Sequence, residues 1–93
     1  MNKVILEGYI VVPESDLEIV KKELISHIQL TREEFGCEKF NVSQDKNNIC
    51  RFNVYEEFSN KEAFAYHQQR VKSSHWGKVT KNVERHYQIF EQG

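Results

Sequence analysis

Two runs of helical periodicity, each set between runs of β-forming residues, restrict this chain to very few folds. The first has Leu17, Val20, Leu24, Ile28, Thr31 and Phe35 at three- and four-residue spacing, with Lys21, Lys22, Glu23, Arg32 and Glu33 on the other side. Ahead of it, Val4, Ile5, Leu6, Tyr9, Ile10, Val11 and Val12 make residues 3–12 a strand. Pro13 ends that strand, and Ser15 with Glu18 reads as a capping box for the helix. Gly36 suits the left-handed residue that follows a helix. Strands are expected at 37–44 and 49–58, joined by the turn residues Asp45, Lys46, Asn47 and Asn48. A second helix is expected at 61–71, opened by a capping box of Ser59 and Glu62, with Ala63, Phe64, His67 and Val71 on one stripe. A short helical segment over 73–79 and a last strand over 83–91 complete the chain.

The order β-α-β-β-α-β is that of the ferredoxin-like fold, an α+β arrangement with both helices on one face of an antiparallel sheet. The whole chain, 1–93, is expected to form one domain. The first and third strands read as apolar on both sides, and a core this small is thin, so a homodimer that covers the second sheet face is expected. Burying one side of the hairpin requires Phe40 and Val42 to share a face with Phe52 and Val54. That needs an odd loop or a bulge, and it turns Cys37 and Cys50 to opposite faces as free thiols. The 13 basic and 14 acidic residues are intermixed, with a formal charge of −1 and no basic face, so nucleic acid is not expected as a partner. The longest early apolar run, 9–13, is too short for a membrane span or an export signal, and the expected location is cytoplasmic.

Aromatic and imidazole groups concentrate between Phe52 and Trp76. His67 lies on the apolar stripe of its helix. It is either a core-edge histidine held by one hydrogen bond or a pocket base, a task imidazole suits because it titrates near neutral pH. His75 and Trp76 diverge by roughly 100° on a helical turn. Trp76 packs, with a pocket wall as a special case of packing, while His75 faces either the pocket or solvent. Phe52, Tyr55, Phe64 and Trp76 are the candidate walls for a flat ring, with Phe58 an alternative to Tyr55. Alternation sets Tyr55 and Glu56 on opposite faces. An inward Glu56 needs a partner, for which Arg85 is a candidate. Four histidines without ligand spacing give no metal site, and no glycine-rich phosphate loop or nucleophile elbow is present. No bound cofactor is expected.

Thr31, Arg32 and Glu34, Gly36-Cys37, Phe40, Val42, Arg51-Phe52, Val54-Tyr55-Glu56, Ala63, His67 and Ser74-His75-Trp76 follow one another in an order and spacing that resembles the antibiotic biosynthesis monooxygenase family. The resemblance covers almost the whole chain. It implies a ferredoxin-like protomer and a homodimer whose sheets face each other as an α+β barrel. Relatives in that family include cofactor-independent oxygenases of quinols or polycyclic phenols, haem-degrading enzymes, and isomerases of a phosphorylated signalling molecule. The haem-degrading branch carries an asparagine in its first strand, where this chain has Glu7, Gly8 and Tyr9. The leading expectation is a monooxygenase of a quinol or phenol in which His67, or His75, is catalytic. One alternative is an isomerase or degradation enzyme for a small carbonyl compound, with Lys72, Lys78 and Lys81 available to a phosphate. Another is a non-catalytic dimer that binds a ligand.

Overall fold

Alternation along the strands sorts the side chains into two faces, and one of those faces makes the core. In the computed structural model, which describes residues 2–92, β1 (Lys3–Val11) is followed by a 3-10 turn (Glu14–Asp16) and α1 (Leu17–Arg32). Then come β2 (Cys37–Gln44), β3 (Arg51–Phe58), α2 (Lys61–Ser73), α3 (His75–Val79) and β4 (Glu84–Gln92). The strands form one sheet in the order β2-β3-β1-β4, every neighbouring pair antiparallel. This is the expected ferredoxin-like α+β fold. Leu6, Ile10, Phe52 and Val54 of the sheet pack against Val20 and Leu24 of α1 and Trp76 of α3. A second cluster joins Val4, Phe58 and Ala63.

The hairpin register follows the parity argument. Val42 pairs with Val54 and Gln44 with Phe52, which leaves an odd number of residues, 45–51, between the last paired positions. A bulge between Cys37 and Lys39 then lets Cys37 pair with Phe58, so that Cys37 packs on the Phe58–Ala63 cluster. Both cysteines are free thiols.

Several local expectations shift. Ser15 falls inside the 3-10 turn that Pro13 initiates, where Asp16 N–H donates to the Pro13 carbonyl, and α1 starts after Asp16 with no side-chain cap. Asn60, not Ser59, caps α2, its side-chain oxygen accepting from Ala63 N–H at 2.8 Å. Ser59 N–H is already committed to the Gly36 carbonyl. α1 stops at Arg32, so Phe35 leaves the apolar stripe and is 93% exposed. Gly36 has φ of 88°, and a Cβ there would lie 2.5 Å from that of Ala63. Glycine is therefore needed both for the turn and for the approach of α2.

The outer sheet face differs most from expectation. On β1 it carries buried Ile5 and half-buried Tyr9 and Val11, but on β3 it carries Arg51, Asn53, Tyr55 and Glu57. Of the two strands expected to be apolar on both sides, β1 is and β3 is not. No helix among the described residues is long and apolar enough to cross a membrane.

Candidate acid–base site

Three elements deliver polar side chains into the space between sheet and helices. Alternation on β3 sends Glu56 inward between Val54 and Phe58. Helical spacing places His67 one turn beyond Ala63 and Arg70 one turn beyond His67. α1 contributes His27 and Thr31, and the turn after it contributes Glu34.

His67 is 3% exposed, with Nδ1 2.9 Å from Oε1 of Glu34 and Nε2 3.9 Å from Oε1 of Glu56. The other oxygen of Glu34 accepts from Arg70 Nε, and Arg70 Nη2 donates to Thr31 Oγ1 at 3.1 Å. Glu34 thus bridges an imidazole and a guanidinium. Phe58 and Phe40 close around the His67 ring, with centroids 5.0 and 5.8 Å away. His27 lies flat on the Trp76 indole, 4.4 Å between centroids and 4° between planes, and its centroid is 6.1 Å from that of His67. The His27 Nδ1 and Glu56 Oε1 atoms are buried without a hydrogen-bond partner among the described residues.

These surroundings set the charge states. Burial pushes Glu56 up to about 8, helped by the neighbouring Glu34 carboxylate. Burial also lowers His27 to about 3, with His67, Arg70 and Arg85 adding repulsion. His67 is lowered too, since burial outweighs the attraction of Glu34. A neutral His67 that satisfies Glu34 carries its proton on Nδ1, which leaves the Nε2 lone pair facing Glu56. At 3.9 Å that gap is too long for a hydrogen bond.

The expected partner of Glu56, Arg85, instead donates to Thr80, at 2.9 Å to Oγ1 and 3.3 Å to the carbonyl. Tyr87 stands near Glu56, and burial raises its phenol to about 12. Trp76 is buried against His27, in the position that Ser74 sets by capping α3 through Gly77 N–H. Phe52 is buried in the main core, and Phe64 is half-buried with its ring edge on Phe58. Tyr55 lies on the opposite sheet face, where its hydroxyl donates to Glu57. His75 is exposed and 3.7 Å from Glu23. The helix–sheet layer therefore gathers His67, Phe52, Phe64 and Trp76, but not His75 or Tyr55. It adds Arg70 and His27, which were not among the expected site residues, and Glu34, which entered only through the family resemblance. For Arg70 the available signal was its placement three residues after His67, on the same side of α2.

Two surface depressions adjoin these groups. A groove of about 560 Å³ runs between the end of α1 and α2, with Leu30, Phe35, Ala63 and Tyr66 as walls and Glu34 and Arg70 reaching it from the buried cluster. A second, of about 700 Å³, lies over Gly8, Tyr9, Tyr55 and His86 of the sheet. A Cβ at Gly8 would meet the His86 carbonyl oxygen at 1.9 Å, so glycine is what lets β4 approach β1 here. Among the described residues no group of three or more His, Cys, Asp and Glu side chains is arranged to hold a metal ion.

Solved structures share this architecture. A protein from Deinococcus radiodurans assigned as an antibiotic biosynthesis monooxygenase is 25% identical, with a TM-score of 0.82 over 97% of this chain and 92% of that one. One from Nitrosomonas europaea with the same assignment is 18% identical, with a TM-score of 0.78 over 99% and 88%. A conserved protein of unknown function from Bacteroides thetaiotaomicron is 19% identical, with a TM-score of 0.77 over 98% of each chain. The last two likenesses speak to the fold alone. No curated protein sequence matches the chain. The profile of the antibiotic biosynthesis monooxygenase family matches residues 4–80, and over that span the chain belongs to this family.

Proposed function

We propose that this protein is an oxygenase that oxidises an electron-rich phenol or quinol with dioxygen and without a bound cofactor. The observation that carries the reading is the buried imidazole of His67, held on one side by Glu34, whose other oxygen is fixed by Arg70. Membership of a family described by monooxygenase chemistry supports it. A phenol becomes a useful electron donor to dioxygen once its hydroxyl proton leaves. The Glu34–His67 pair takes that proton, and Arg70 steadies the phenolate oxygen. For a phenol with a free para position the balance is complete. The ring C–H becomes a carbonyl with one oxygen atom of dioxygen, the other leaves as water, and the ring supplies all the electrons. Trp76, His27, Phe40 and Phe58 keep water from the imidazole and fix its orientation. We also propose that a second copy of the chain covers the outer sheet face.

Oxygen uptake with a panel of phenols and quinols tests the activity. Replacing His67 with Gln retains a donor and an acceptor but loses the titration, and is expected to lower turnover roughly a hundredfold. Equal turnover with an unchanged pH–rate profile would show that His67 is not the base.

A further inference from the structure

We propose that the groove between the end of α1 and α2 seats the ring of a neutral or cationic phenol and turns anionic ones away. The choice of a phenol rests on the oxygenase reading, whereas the charge preference rests on the groove itself. Leu30, Phe35 and Tyr66 are 52%, 93% and 61% exposed, and all three line this one depression. Large apolar side chains gathered in a concave site mark a place where something apolar is received. The volume of about 560 Å³ suits one or two rings.

The polar end is equally specific. Glu34, whose side chain is almost fully buried, and Arg70, still partly exposed, belong both to the groove and to the His67 cluster. Arg70 uses Nε on Glu34 and Nη2 on Thr31, and a guanidinium has further donors for a phenol oxygen. A ring lying between Leu30 and Tyr66 with its hydroxyl inward therefore meets Glu34 and Arg70, and through Glu34 it is joined to His67. The charge balance of the lining decides which rings are admitted. Glu33, Glu34 and Glu62 stand against the single cation Arg70. A tail carrying a carboxylate or phosphate meets net repulsion at the mouth, while an ammonium is attracted.

Three probes share one ring and differ in tail charge: tyramine, 4-ethylphenol and 3-(4-hydroxyphenyl)propionate. Titrated into the labelled full chain, tyramine and 4-ethylphenol are expected to shift the amide NMR signals of Leu30, Ala63, Tyr66 and Arg70. The propionate is expected to bind at least tenfold more weakly than tyramine. The double variant Glu33→Gln, Glu62→Gln should narrow that gap, as should added salt. Leu30→Ser with Tyr66→Ser, both more than half exposed and so tolerable to the fold, should abolish the shifts. No binding by any probe, affinities independent of charge, or shifts centred on Tyr9 and His86 would overturn the groove. Binding here with no oxygen uptake from any phenol would support the groove and overturn the oxygenase reading. Uptake unaffected by the Leu30/Tyr66 variant would overturn the groove and leave the oxygenase standing.

Discussion

A carboxyl group inside a protein persists only in the charge state its neighbours can solvate. Glu56 meets Glu34, His67 and Tyr87 rather than a cation, and its side chain is pushed up to about 8 from an ordinary 4.5. The folded chain therefore keeps a proton that the unfolded chain releases. The stability this gives is full below about 4.5 and is lost as pH rises through about 8. His27, flanked by His67, Arg70, Arg85 and Trp76, works in the other direction. It is held near 3 against an ordinary 6.5, so its contribution is full above 6.5 and is lost as pH falls toward 3. Between 4.5 and 6.5 the two slopes oppose each other. Urea unfolding as a function of pH should accordingly show greatest stability in that window and a fall from 6.5 to 8, at up to about 1.4 kcal/mol per pH unit. Glu56→Gln should flatten the upper fall and leave the lower one intact. A wild-type curve level from 6.5 to 8 would mean that Glu56 is ionised in the fold. His67 and Glu56 were legible as inward or alternating residues because periodicity alone aims them. Glu34 was not, because its direction depends on how the chain leaves α1. In sequence His27 only flanks the α1 stripe, next to Ile28, and it is the packing of α1 on α3 that brings it against Trp76.

At the scale of elements, strand alternation and helical spacing carried most of the fold, and the errors fall at element ends. Two serine–glutamate pairs with capping-box spacing were both misplaced. A cap works through one backbone position, and the spacing does not reveal which of two adjacent competent residues occupies it. At α2 the residue is Asn60, one place later than Ser59. The two candidates make opposite predictions. Asn60→Ala should cost about 1 kcal/mol, the usual loss for a cap of this kind. Ser59→Ala should be close to neutral, since its backbone rather than its hydroxyl ties β3 to Gly36. Thermal melts of the two variants decide between them, and the reverse ranking would restore the sequence-based assignment. The parity of Phe40, Val42, Phe52 and Val54 fixed the hairpin register. It did not foresee the bulge between Cys37 and Lys39, because an extra residue at a strand end leaves the inner pattern unchanged.

Across the whole molecule, the outer sheet face is more polar than two-sided strands implied. Lys3 reaches both Glu38 and Glu57, Lys39 also reaches Glu57, Arg51 sits over the Tyr9 ring, and Tyr9 stacks on His86 at 4.7 Å. Among these lie buried Ile5 and partly exposed Phe90. The proposed pairing of two copies through this face would therefore be built from aromatic rings rimmed by charge, the composition of many specific interfaces rather than of a divided core. A stable pair of that kind would bury on the order of 1,500 Å². It would also make stability depend on concentration, because only the paired form has the face covered. A hundredfold dilution withdraws about 2.7 kcal/mol from a dimer that dissociates as it unfolds, a shift of roughly 7 °C in the thermal midpoint for two chains of this size unfolding together. Tyr55→Arg, placed on the outer face away from the His67 cluster, should lower the midpoint at high concentration and remove its dependence on dilution. Sedimentation as a monomer at micromolar concentration, together with a midpoint that does not move on dilution, would mean that the protomer stands alone. The ion pairs of Lys3, Lys39 and Glu57 would then be ordinary surface contacts with little to add to its stability.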